Sequence, residues 1–90
     1  MPNNSVKPSL WMRILPLTII ERNYVALGLE AAFYKRLDIK EHADQCGREK
    51  RRWEAEYQRR GFEPITREVF HQSSWGKTID PKYLRIPIQK

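Results

Sequence analysis

His42 and Cys46 stand four residues apart in a stretch of helical composition. At that spacing two side chains share a helix face and could grip one metal ion. Two ligands do not complete a zinc site, and the other histidine, His71, is remote in sequence. The same pair could act as nucleophile and base, with the imidazole taking the thiol proton. No oxyanion donors and no third orienting group stand beside them. The plainer reading is a half-exposed histidine next to a small buried cysteine. No catalytic, cofactor-binding or metal-binding residue is therefore assigned, no cofactor is expected, and the chain is read as not an enzyme.

The second constellation is basic: Arg48-Glu49-Lys50-Arg51-Arg52, followed by Arg59-Arg60, with Trp53 and Tyr57 between. Guanidinium groups interleaved with aromatics can hold phosphates and stack a base. Arg48, Arg51, Arg52, Arg59 and Arg60 are thus the candidate contacts to phosphate or lipid headgroups. The acids Glu49, Glu54 and Glu56 interrupt this run and would repel a polyanion, so a solvated or salt-bridged face is the competing reading. Glu54 and Glu56 point to different helix faces and do not form a carboxylate pair. Gly28, Gly47, Gly61 and Gly76 are isolated, and none opens a phosphate loop.

The expected class is mainly α, with an extended lead-in (1–9), a long helical stretch (10–37), a charged helix (38–61) and an extended arm (62–90). Pro16 suits the first turn of a helix, so the long helix should begin near Pro16 or Leu17. Leu17, Ile20, Tyr24, Leu27, Ala31 and Tyr34 follow helical spacing and define one stripe. Asp38 reads as an N-cap or a short break. The charged helix carries Ile39, Ala43, Cys46, Trp53 and Tyr57 on one face, with Lys50 filling the gap. Opposite charges recur at i,i+4 as Asp44–Arg48, Lys50–Glu54, Arg52–Glu56 and Glu56–Arg60. Gly61 closes this helix, with Phe62 placed for the accompanying apolar contact. Thr66 could cap a short turn through Phe70. The rest of the tail, with Trp75, Tyr83, Leu84, Ile86 and Ile88, lacks periodicity and reads as an arm laid across a partner.

Ninety residues allow one domain, and 40% apolar content with a mean hydropathy of −0.75 makes for a thin core. Cys46 is the only cysteine, so no disulfide can compensate within the chain. A chain with no independent globular core borrows stability from neighbours and is not expected as a free monomer. Net charge is +6, from 17 basic and 11 acidic residues, and the two signs are interleaved. No secretory signal or cleaved presequence is evident. Residues 10–34 are long enough to span a bilayer but contain Arg13, Glu21, Arg22 and Glu30. Each charge at the bilayer centre costs roughly 2.5–3.5 kcal/mol, which cancels most of the aliphatic gain. Such a helix could stand in a membrane with its polar side against protein, lie in an interface, or pack on a soluble partner.

Several features fall in the order of a known family. Trp11 precedes Ile14-Leu15-Pro16-Leu17 and Ile19-Ile20; Tyr34-Lys35-Arg36 follow, then Trp53-Glu54 and Arg59-Arg60. Over residues 11–61 the chain resembles the small MWFE-type accessory subunit of mitochondrial complex I, the proton-pumping NADH:ubiquinone oxidoreductase. Glu21-Arg22-Asn23 departs from that family's apolar membrane helix and calls for a polar protein neighbour. The resemblance implies a noncatalytic structural subunit of the membrane arm, in the mitochondrial inner membrane, supporting assembly and stability of the respiratory chain complex. Its partners would be other subunits and membrane lipid. Trp11, Tyr24, Leu27, Tyr34, Trp53, Tyr57 and Trp75 are the expected interface anchors. The alternative is a small basic protein of an organellar ribosome or other ribonucleoprotein, binding RNA phosphates through the arginine cluster.

Overall fold

Pro16 lacks an N–H and already holds φ −61° and ψ 151°, and its carbonyl accepts hydrogen bonds from Ile19 and Ile20. Helix α1, Leu17–Arg36, starts there, one residue after the proline that pre-sets it. In the computed structural model, which describes residues 10–76 and 78–89, a 3₁₀ turn at Leu10–Ile14 precedes it. The expected helical stretch 10–37 is therefore two elements with a break at Pro16. Helix α2 follows at Lys40–Arg59, close to its expected bounds, then the short α3 at Arg67–Ser73 and a 3₁₀ turn at Pro81–Tyr83. The expected lead-in 1–9 and Lys90 lie outside the described residues, as does Lys77.

Both long helices end in the same way. Beyond α1, Asp38 adopts φ 59°, its N–H bonds to Lys35 O, and the Ile39 N–H reaches back to Tyr34 O. Beyond α2, Gly61 adopts φ 97°, its N–H bonds to Gln58 O, and the Phe62 N–H reaches Tyr57 O. Each is a Schellman closure, and at α2 the Phe62 ring packs 5.3 Å from Tyr57 to supply the apolar contact. Asp38 is thus the left-handed residue that ends α1. It is not an N-cap: Ile39 occupies that position, without a side-chain cap. Thr66 does cap α3, accepting from Val69 N at 3.3 Å.

Helices α1 and α2 pack as a hairpin, with α3 against α1. Ile20, Tyr24, Gly28 and Leu29 are the buried positions of α1, and Glu56 and Tyr57 those of α2. Met12, Ile65, Phe70 and Ile79 complete the core from the segments around the hairpin. At Gly28 the backbone and the Phe70 ring meet so closely that an added Cβ would lie 2.2 Å from a ring carbon. Only glycine permits that approach.

The expectation of an extended arm and of no independent core is corrected here. Residues 62–76 and 78–89 fold back over the hairpin, because two buried tyrosine hydroxyls hold them. The Tyr24 hydroxyl donates to Glu54 Oε2 at 2.7 Å and accepts from Ile65 N at 2.8 Å. The Tyr57 hydroxyl donates to Glu21 Oε2 at 3.3 Å and accepts from Arg85 N at 2.7 Å. Each helix thus offers a tyrosine to a glutamate of the other, and each tyrosine takes one backbone N–H of the tail. The Arg85 guanidinium pairs with Glu21 at 3.2 Å, and an antiparallel bridge joins Phe62 to Pro87. The radius of gyration, 13.0 Å, is close to the value of about 12 Å for a globule of this length. No helix among the described residues is long and apolar enough to cross a membrane. Glu21, the charge that opposed a span in the sequence, is one of the two acids that fasten the tail.

Candidate functional site

The arginine cluster of the sequence is divided by the fold. Glu56, fully buried, receives Arg59 Nη2 at 2.8 Å and Arg60 Nε at 2.7 Å. The other nitrogen of the Arg60 fork donates to Met12 O at 2.9 Å and Leu15 O at 2.7 Å, satisfying carbonyls around the first 3₁₀ turn. Hydrogen bonding from Arg59, joined by Arg60 and working against burial, pulls the Glu56 carboxyl down from 4.5 to about 2. Arg60 is thereby an internal strut, and Arg59, 42% exposed, spends two of its nitrogens on Glu56. Arg52 pairs with Glu49 at 3.6 Å. Of the i,i+4 pairs expected in α2, Glu56–Arg60 forms an ion pair.

Arg48 and Arg51 remain, and the fold adds cations that lie far from them in sequence. Lys35, Lys40, Arg48, Lys50, Arg51 and Arg67 line a groove of about 1150 Å³ between α1, α2 and α3. Three acids share its walls, Asp38, Asp44 and Glu68, which leaves the lining three positive charges in excess. Its small residues, Ala31 and Ala32 from α1 and Ala43 and Gly47 from α2, give it depth. Lys50 is half-buried, with its ammonium 5.2 Å from the centre of the Phe70 ring. Burial pushes the Lys50 pKa down; Glu54 resists, and the neighbouring Arg51 and Arg67 push the same way as burial. No ion pair reaches any of the six cations among the described residues.

The expected anchors divide likewise. Tyr24 and Tyr57 have no exposed surface and stack 5.1 Å apart in the core, so neither can contact a partner. Burial first, and then the Glu54 hydrogen bond, raises the Tyr24 phenol well above its ordinary range; burial raises Tyr57 too. Leu27, Tyr34 and Trp53 are partly buried. Trp11 is 52% exposed and meets Trp53 edge-on at 5.7 Å. Trp75 is 61% exposed, its ring against Phe33 at 5.3 Å and under the Arg36 guanidinium. Leu10 at 74% and Ile14 at 84% are still more exposed, though the sequence reading did not single them out. Ile86 and Ile88 are exposed as well, on a tail segment whose backbone bonds to Glu63 and Gly61. Arg60 and Gly61 therefore hold the two apolar segments at one end of the hairpin.

His42 and Cys46 have separate partners. His42 stacks on Tyr34 at 5.1 Å, while the Cys46 thiol donates to Glu30 Oε2 at 3.6 Å. Burial and that hydrogen bond push the thiol pKa up, which keeps it protonated. Among the described residues no group of three or more His, Cys, Asp and Glu side chains could hold a metal ion. Compared with models of known families, with curated proteins and with solved structures, the chain gives no match.

Proposed function

We propose that this chain is a noncatalytic accessory subunit of a larger assembly, docked through the apolar end of the hairpin. The observation that carries this reading is the exposure of Leu10, Trp11 and Ile14 beside Ile86 and Ile88, on a chain of only 90 residues. Large apolar side chains grouped at one end mark contact sites. The resemblance over residues 11–61 supports mitochondrial complex I as the assembly, and hence the mitochondrial inner membrane as the location. In this proposal the subunit is held by protein contacts, with Trp11 as the aromatic anchor of that end and Trp53 supporting it; Trp75, packed on Phe33 near the far end of α1, lies apart from this surface. Its contribution is to assembly and stability.

Native fractionation of solubilised mitochondria, with the chain located by mass spectrometry, tests the reading. Comigration with NADH-oxidising activity is expected for the wild type, and loss of comigration for Ile14→Glu, a substitution at a solvent-facing position that leaves the core intact. An Ile14→Glu chain that still comigrates would remove the apolar end as the docking surface. A second reading is a small ribonucleoprotein component that meets RNA phosphates through the exposed Arg48 and Arg51, with the acids on the same wall weighing against it. It requires cosedimentation with ribosomal RNA, lost on nuclease treatment and weakened steeply by salt.

A further inference from the structure

We propose that the groove between α1, α2 and α3 binds the phosphate group of a small phosphorylated molecule, held by Lys50, Arg51 and Arg67. The proposal concerns a different face from the apolar end and does not depend on the accessory-subunit reading. Three observations carry it. Arg51 comes from α2 and Arg67 from the first position of α3, yet both line the same groove as Lys50. Like charges brought together by the fold raise its energy, and a bound anion between them lowers it. Neither arginine makes an ion pair or side-chain hydrogen bond among the described residues, so both forks are available for phosphate oxygens. Lys50 presents its ammonium from a half-buried position, 5.2 Å from the centre of the Phe70 ring and without an ion pair among the described residues.

The shape of the groove favours a small molecule over a nucleic-acid strand. A strand needs a continuous basic track, and here Asp38, Asp44 and Glu68 interrupt the lining. The Phe70 ring is 2% exposed, which leaves the His71 imidazole as the one accessible ring among the groove-lining residues, too little for a run of stacked bases. The alanines and Gly47 instead leave room in the groove for the compact, weakly polar remainder of a ligand. A soluble phosphate ester and a phosphomonoester lipid headgroup present the same chemistry to these three cations.

The full-length chain, labelled for amide NMR, is titrated with inorganic pyrophosphate at constant ionic strength. Saturable shifts are expected around Lys50, Arg51 and Arg67. Affinity should fall at least about tenfold in Arg67→Gln, as loss of a charge-assisted hydrogen bond requires. Lys82→Gln, the same charge change away from the groove, should bind as the wild type does. Both positions are exposed, so both variants keep the fold. Vesicles containing phosphatidic acid that displace pyrophosphate from the same amides would make a lipid headgroup the natural source; vesicles that do not compete would point to a soluble ester. The proposal is overturned by an absence of saturable groove shifts, or by equal losses in the two variants. It is overturned equally by an RNA oligonucleotide that binds these residues when pyrophosphate does not.

Discussion

Replacing Glu56 by Gln keeps the size of a fully buried side chain and removes the one charge that two arginines share. In the folded chain the Glu56 carboxyl titrates at about 2 against 4.5 for the free group, held down first by Arg59 and then by Arg60. That difference is worth on the order of 3 kcal/mol, an upper figure because Arg59 is 42% exposed and solvent screens its share. The sign follows from linkage. A carboxyl whose folded pKa is depressed stabilises the fold above 4.5, and the contribution is lost as pH falls towards 2. Urea unfolding of wild type and Glu56→Gln, followed by circular dichroism across pH with a fixed amount of stabilising osmolyte, reads this directly. The gap between the two proteins should be largest at neutral pH and should close as the solution is acidified through that window. A gap that is absent, or that persists unchanged at the acid end, would refute the account of Glu56 as the paired centre of this end of the hairpin.

The tyrosine hydroxyls give a second expectation. Tyr24→Phe and Tyr57→Phe should each cost about 1–3 kcal/mol, since each leaves a tail N–H without its acceptor and removes one hydrogen bond to a glutamate. Limited proteolysis should then cut residues 78–89 faster in Tyr57→Phe; equal cleavage rates would mean that the hydroxyl does not hold the tail. Two glycine-to-alanine changes should have opposite signs. Gly28→Ala forces the Phe70 ring away and should destabilise by about 1–3 kcal/mol, whereas Gly47→Ala meets nothing within 4 Å and should stabilise α2 by up to about 1 kcal/mol. Thermal unfolding of both variants checks the pair, and a loss at Gly47 would count against the open space described there.

The elements were legible where short-range rules decide them. Pro16 marked the start of α1, Gly61 the end of α2, and Thr66 the cap of α3, each because a single residue's backbone or side chain fixes the local hydrogen bonds. The stripe on α1 held at Ile20 and Tyr24, and the drift of helical phase then carried burial to Gly28 and Leu29, beside the half-buried Leu27. The folded-back tail was not legible. Its docking depends on isolated side chains, Ile65, Ile79 and Arg85, with no period to reveal them, and on tyrosines whose hydroxyls serve as acceptors in the core. The groove was half legible: Arg48 and Arg51 stood in an evident cluster, while Lys35, Lys40 and Arg67 join them only through packing of three helices. The i,i+4 spacing marked Arg60 as a partner of Glu56, but nothing in the sequence showed that Glu56 would be buried and would take Arg59 as well, because it is interleaved with solvent-facing acids on the same helix.

The two tyrosine fastenings also bear on how such a chain reaches its final state. Each is a three-body junction: Tyr24 joins Glu54 to Ile65, and Tyr57 joins Glu21 to Arg85. The partners are separated by 30 and 41 residues in the first case and by 36 and 28 in the second. The Arg85–Glu21 pair spans 64. Helices usually confer low contact order and quick assembly, but these junctions are non-local, and their loop-closure entropy must be met before they return any stability. Neither helix can satisfy its own tyrosine, and the tail has no acceptor for the Arg85 amide until the hairpin is in place. The hairpin thus acts as the template and residues 62–76 and 78–89 as the lock, so a mainly helical molecule completes its core only by a long-range step.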